Sequence, residues 1–236
     1  MIFINLVLFL ISISGIFLLR YKILSKQVLS MIIAIGAGVM IATSLVHVFP
    51  DVIMNSKNNA LFFIGGFLFT YLIENILMVH SCVEHDCHYH NLSIISLVAI
   101  CIHTFFDGLG IGAGLNIGEK IGYSFFISIL IHQIPVSFSI AGLLSHSRFT
   151  KKVQYIMLIL FGLSAPVGII LTFYVLKNTN IGDYSYSLLA IAGGSLLYIG
   201  ASDLLPVIHK NSNNRWLTVI IFLFAAILTS LTAFLE

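Results

Sequence analysis

The chain has 236 residues, of which 59% are hydrophobic and 8% charged, with a mean hydropathy of +1.07. Soluble domains carry about 25% charged residues, so this composition excludes a water-soluble globular protein. The net charge of +2 offers no basic field for nucleic acid.

Apolar runs approach the ~20 residues that a helix needs to cross a bilayer, and the ~10-residue alternation of an outer-membrane barrel is absent. The runs predict an all-α integral membrane protein of eight transmembrane helices, at roughly 2–19, 28–50, 60–79, 92–115, 121–145, 153–176, 186–208 and 216–235. They nearly fill the chain, which predicts a single transmembrane domain over residues 1–236. Arg20, Lys22 and Lys26 follow the first run and none precedes it, which argues against a cleaved signal peptide and for a span with its N-terminus outside. With that orientation the inner loops hold eight Lys and Arg residues and the outer loops three (Lys57, Lys120, Lys177), out of 11. The positive-inside rule then gives N-out and C-out, with the connection between spans three and four in the cytoplasm.

Ionisable side chains at membrane depth are costly and point to function. In chain order, the second span closes with His47 and Asp51, the third carries Glu74, and the fourth carries His103 and Asp107 within "HTFFDG" (103–108). The i, i+4 spacing puts His103 and Asp107 on one helix face, about a turn apart. An imidazole nitrogen beside a carboxylate oxygen suits a borderline divalent ion such as Zn²⁺. Thr104 adds a weak oxygen on an adjacent face. Gly108, Gly110, Gly112 and Gly114 follow and would let a neighbouring helix approach closely. The fifth span brings His132 within "HQIP" (132–135). Pro135 is expected to free the Ile131 carbonyl and bend this helix, and a short connection places His132 opposite His103 and Asp107.

The connection before span four, "HSCVEHDCHYH" (80–90), gathers His80, Cys82, His85, Cys87, His88 and His90 with Glu84 and Asp86. Its spacing fits no zinc-finger template; it reads as a labile metal-binding tract. With Cys101 inside a span, the three cysteines form no disulfide framework. A faint repeat links "GAGVMIATSLVHVFPD" (36–51) with "GGSLLYIGASDLLPVI" (193–208). Setting Pro50 on Pro206 puts His47 on Asp203, in spans of opposite direction, as in inverted-repeat transporters. His47, Asp51, Asp203 and Glu74 then become candidate stations where a cation is admitted and released.

These motifs together resemble the ZIP (Zrt/Irt-like) family of divalent metal transporters, over nearly the whole chain. The resemblance rests mainly on "HTFFDG" and "HQIP", with support from "HVFPD", "ASDLLP" and the His-rich loop after span three. It implies an eight-helix inverted-repeat bundle, N-out and C-out, usually a homodimer in the lipid bilayer. It also implies carriage of Zn²⁺, Fe²⁺ or Mn²⁺ into the cytosol by elevator-like alternating access. The ion is then a transported substrate and no cofactor is required. His103, Asp107 and His132 fall on the family's main transport site.

Departures from the family pattern matter as much. Thr104 stands where many members have Asn. Gln133, Val136 and Ser137 stand at positions usually richer in acids or further ligands, and Ala165 replaces the Glu of an "EPxG" motif in span six. A second, adjacent metal position is thereby stripped of most of its charge, so one ion is expected, with Thr104 and Gln133 as weak or indirect contributors. No nucleotide-binding loop is present, which predicts transport driven by ion gradients or membrane potential across the cell (plasma or inner) membrane. Two alternatives carry different predictions. One is a metal-binding relative that senses the ion or does not transport it. The other is an intramembrane zinc-dependent hydrolase, which would need a general base that the sequence does not supply beyond Glu74 and an HExxH helix that it lacks.

Overall fold

The computed structural model describes residues 1–17, 26–79, 89–145, 149–178, 184–206 and 215–232, all helical apart from short turns. In lipid every backbone N–H and C=O must be paired within the chain, and a helix does this segment by segment. The helices are α1 (Ile2–Ser12), α2 (Lys26–Ala42, continued by a π segment Thr43–Val48 and by Phe49–Asn55), α3 (Asn59–Val79) and α4 (Tyr89–Ile117). They continue with α5 (Glu119–Ser145), α6 (Lys151–Asn178), α7 (Ser185–Tyr198, continued by a π segment Ile199–Leu204) and α8 (Arg215–Thr232). Six of them are long and apolar enough to cross a membrane; α1 and α8 are shorter apolar helices. The chain is an all-α, multi-pass membrane protein.

Two groups of helices account for the packing. α1, α4, α5 and α6 pack on one another, and α2, α3, α7 and α8 pack on one another. The seams between the groups are α4 against α7 and α2 against α5, with a lighter contact of α3 on α4. Close approach depends on small residues. A Cβ on Gly108 would run into the Ala165 carbonyl of α6, one on Gly66 into the Ile191 carbonyl of α7, and one on Gly38 would lie 2.5 Å from the Phe222 carbonyl of α8. The glycine run of α4 therefore serves three neighbours: Gly108 and Gly112 face α6, Gly114 faces α5, and Gly110 faces both α5 and α7. At the other extreme, the apolar window of α3 is only 17% buried and turns Leu61, Leu68 and Leu72 outward.

The faint repeat has a backbone counterpart. Each π segment has six residues and ends two residues before its proline, so the register that sets Pro50 on Pro206 also superposes the π segments residue for residue. α2 and α7 lie antiparallel. Ser44 Oγ donates to the Gly193 carbonyl at 2.7 Å, while a Cβ on Gly200 would meet Ile41, Met40 and the Ala37 carbonyl. In the repeat register Ser44 corresponds to Gly200 and Ala37 to Gly193, so these are one contact seen from both sides. Exchanging α1 with α6, α2 with α7, α3 with α8 and α4 with α5 carries most helix pairs onto other observed pairs.

Local differences from expectation have local causes. The first span is not one helix: α1 ends at Ser12, and residues 13–14 form a turn before a short helical stretch at 15–17. There Ser12 Oγ bonds back to the Leu8 carbonyl, and Gly15 N–H donates to Ser137 Oγ of α5 at 2.8 Å. α5 continues as α-helix from Glu119 to Ser145 across Pro135, and the irregular segments lie instead beside Pro50 and Pro206. At the α2–α3 turn, Asn59 donates to the Val52 carbonyl at 2.9 Å and accepts from Ser187 of α7 at 3.1 Å, pinning three elements.

Candidate metal centre

α4 and α5 are joined by Gly118 alone, which forces them into an antiparallel pair. His103 and Asp107 stack on one face of α4, and His132 comes from the facing turn of α5. Asp107 Oδ2 lies 3.1 Å from His103 Nε2 and 3.3 Å from His132 Nε2. One ligand atom from each residue falls within 4.8 Å of the others, and among the described residues this is the one such group. His103 is 4% exposed, and Asp107 and His132 are fully buried.

The second nitrogen of each ring shows how it is held. His132 Nδ1 lies 3.2 Å from the Ser128 carbonyl, which can only accept, so the proton sits on Nδ1 and Nε2 presents its lone pair to the cluster. His103 Nδ1 lies 3.2 Å from Ser195 Oγ of α7. His103 Nε2 makes no hydrogen bond despite its closeness to Asp107, and Asp107 Oδ1 is buried with no hydrogen-bond partner. A buried carboxylate is unfavourable unless neutralised or paired. Here its nearest partners are the two imidazole Nε2 atoms, and the three groups together offer a divalent cation two nitrogens and a carboxylate.

The positions where a second ion would sit are differently engaged. Gln133 Nε2 donates to Ser12 Oγ at 2.8 Å, and Ser137 Oγ donates to the Ser12 carbonyl. Both side chains thus tie α5 to the broken end of α1. Val136 belongs to an apolar cluster with Leu97, Ile140, Leu158 and Phe161, and Ala165 is buried against α4. Thr104 Oγ1 and Gln133 Oε1 are buried without hydrogen-bond partners.

Other candidates are placed more loosely. His47 lies in the π segment of α2, with Nε2 donating to the Thr229 carbonyl of α8 at 3.0 Å. His47 and Asp51 line a cavity of about 340 Å³ with Thr43, Lys120 and Ser124. An adjoining cavity of about 430 Å³ shares Thr43, His47, Lys120 and Ser124 and extends to Ser128, whose carbonyl holds His132. Glu74 is half-buried on α3, apart from the cluster, with Oε2 lacking a hydrogen-bond partner. Asp203 falls in the second π segment, but its side chain lies outside the described residues, as do His80, Cys82, Glu84, His85, Asp86, Cys87 and His88 and the side chain of His90. Ser195, Ser128 and Thr43 were not expected. Single hydroxyls in apolar spans have no spacing signal: Ser195 reaches His103 only through the tertiary fold, while Ser128 serves His132 through its backbone carbonyl one turn back on α5 and donates its hydroxyl to Thr43 of α2.

Comparison with known proteins gives the family. The family model of the ZIP zinc transporters matches residues 79–234, more than half of the chain and the stretch that holds His103, Asp107 and His132. Among curated proteins the chain is 27% identical over 121 residues to zinc transporter zipt-7.2 of Caenorhabditis elegans, covering 50% of this chain and 26% of that protein. It is 25% identical over 159 residues to zinc transporter ZIP9 of Micropogonias undulatus (64% and 51%). It is 26% identical over 151 residues to zinc transporter ZIP10 of Homo sapiens (58% and 17%). The matched stretch thus spans from about half to under a fifth of these relatives. The two-histidine, one-carboxylate cluster on adjacent antiparallel helices and the family match together place this chain in the ZIP family of zinc transporters.

Proposed function

We propose that this chain is a divalent metal importer that carries Zn²⁺, or Fe²⁺ or Mn²⁺, into the cytoplasm through one ion site formed by His103, Asp107 and His132. The observation that carries the proposal is the fully buried Asp107 carboxylate, approached by two imidazole nitrogens and by no fixed cation. Two nitrogens and a carboxylate favour zinc-like ions over Mg²⁺ and Ca²⁺, which prefer all-oxygen shells. A fourth position left to water or a weak oxygen suits an ion that must leave again.

The rest of the reading rests on the charge distribution of the sequence and on the family resemblance. The whole chain acts as one membrane unit, N-out and C-out, paired as a homodimer in the plasma or inner membrane. His47 and Asp51, at the cavity beside α5, admit the ion from outside; Asp203 and Glu74 serve its exit, and the His/Cys-rich loop receives it in the cytoplasm. The α1–α4–α5–α6 group moves against the α2–α3–α7–α8 group to alternate access, driven by gradients or membrane potential. The protein acts as a transporter rather than an enzyme, a reading supported by the match to the ZIP zinc transporter family.

Uptake of a panel of radiolabelled divalent metals into proteoliposomes tests this. Saturable Zn²⁺ entry that is lost in His103→Ala, Asp107→Ala and His132→Ala supports it. Tight binding at the cluster without entry would establish the metal-binding, non-transporting alternative instead.

A further inference from the structure

The two histidine ligands are oriented by partners of different kinds. His132 donates Nδ1–H to the carbonyl of Ser128, one turn back on its own helix. That acceptor travels with α5, so the ring keeps its tautomer wherever α5 goes. The acceptor within reach of His103 is Ser195 Oγ at 3.2 Å, and Ser195 belongs to α7, in the other helix group. Both residues are buried, at 4% and 2% exposure, so water does not readily replace the contact. Coordination through Nε2 requires the proton on Nδ1, and a hydrogen-bond acceptor at Nδ1 both fixes that tautomer and aims the ring.

We infer that Ser195 is a positioning residue that makes His103 a strong ligand in only one register of α4 against α7. This rests on the reading that His103 binds the transported ion. A slide of one helical turn moves a side chain by about 5.4 Å, well beyond hydrogen-bond reach. The seam is close at Gly110 of α4, where a Cβ would lie 2.6 Å from the Ala192 Cβ of α7. In the shifted register His103 loses its orienting partner while His132 keeps its own. One ligand is set permanently and the other conditionally, which weakens the site as the helix groups move and favours release.

The test uses the full chain, purified, with Co²⁺ as a visible-absorbing probe and Zn²⁺ for uptake. Ser195→Ala is expected to raise the Co²⁺ dissociation constant by about 10–100-fold, the usual effect of removing an orienting partner. It should also alter the cobalt absorption bands and raise KM for Zn²⁺ while the maximal rate is retained. Ser195→Thr keeps the hydroxyl and should restore affinity and spectrum. In a His103→Ala background, Ser195→Ala should add no further loss, whereas a merely structural role would add one. Wild-type affinity and spectrum in Ser195→Ala would overturn the inference, as would failure of Ser195→Thr to rescue a folded Ser195→Ala protein. The two readings fail separately. Wild-type Co²⁺ binding by His103→Ala removes the site itself, while loss in His103→Ala with none in Ser195→Ala removes only the role of Ser195.

Discussion

The two sides of α5 have opposite characters. On the α4 side, His132 meets His103 and Asp107 in a dry cluster with one carboxylate oxygen left open. On the α1 side, Gln133 and Ser137 use their polar atoms on Ser12 and Gly15, and Val136 joins an apolar cluster. Neighbouring residues on one helix have thus gone to different purposes: ligand groups kept for a cation on one face, hydrogen bonds and packing on the other. Gln133 and Ser137 thus serve to join α5 to α1. The difference teaches that neighbouring residues on one buried helix can be committed to unlike tasks, since Gln133, Val136 and Ser137 all have structural partners.

The sharpest way to break this comparison is Asp107→Ala. It removes the cluster's one carboxylate, which offsets half the charge of a divalent ion, and the two imidazoles left behind offset none. An orienting partner is worth about 10–100-fold in affinity, so a direct ligand should cost at least the upper end of that range. Zn²⁺ uptake in proteoliposomes should fall to background with the protein still present in the membrane. Near-normal uptake would mean that the polar face of α5 toward α1, not that toward α4, carries the ion.

Next in size is an attempt to restore the second position. Ala165 is fully buried, and its carbonyl presses on Gly108 where even a Cβ has no room. Ala165→Glu should therefore destabilise the α4–α6 contact by several kcal/mol, about 3–5 by comparison with an uncompensated buried charge. Thermal unfolding in detergent would register this as a lower Tm, and zinc should not repair it. A stable Ala165→Glu protein that binds two ions per chain would show that the position had remained available.

Much of this was legible in the sequence, for physical reasons that also explain what was not. Lipid demands long apolar helices, so the six long apolar helices were readable as apolar runs, and i, i+4 spacing put His103 and Asp107 on one face whatever the tertiary structure. The break of α1 at residues 13–14 and the π segments of α2 and α7 were not readable, because irregular backbone depends on what packs beside it. Pro135 suggested an irregular α5, yet the helix continues across it, while Pro50 and Pro206 adjoin the π segments. A proline tells that a backbone bond is missing, not how the neighbourhood compensates. The repeat illustrates the same limit: two short sequence stretches barely matched, whereas their backbones share a register.

A smaller effect should come from Gln133. Its amide nitrogen is committed to Ser12, so Gln133→Ala removes a buried hydrogen bond between α1 and α5 rather than a ligand. The expected cost is about 1–2 kcal/mol of stability, seen as a modest fall in Tm. KM for Zn²⁺ should stay within a few-fold of the parent. A loss of uptake as deep as that of Asp107→Ala would place Gln133 among the ion's ligands and erase the contrast between the two sides of α5.

The smallest effect on transport should come from the region between α3 and α4. Replacing His80, His85, His88, His90, Cys82 and Cys87 by serine removes six potential ligands without touching α4 at His103 or α5 at His132. If the tract faces the cytoplasm, as proposed, it meets ions only after they have crossed, so fewer metals should be bound per chain while KM for uptake stays unchanged. Cysteine and histidine bind metal only when deprotonated, so the extra binding seen in the parent should fade as pH drops, and the difference between parent and variant should shrink with it. The sign is fixed: acid removes loop-bound metal and alkali restores it. Equal stoichiometry in parent and variant at neutral pH would show that the tract holds no ion. Uptake lost as completely as in His103→Ala would make it part of the path. Labelling of Cys82 by an impermeant thiol reagent from outside intact cells would place the tract on the opposite side and reverse the direction in which the helices are threaded.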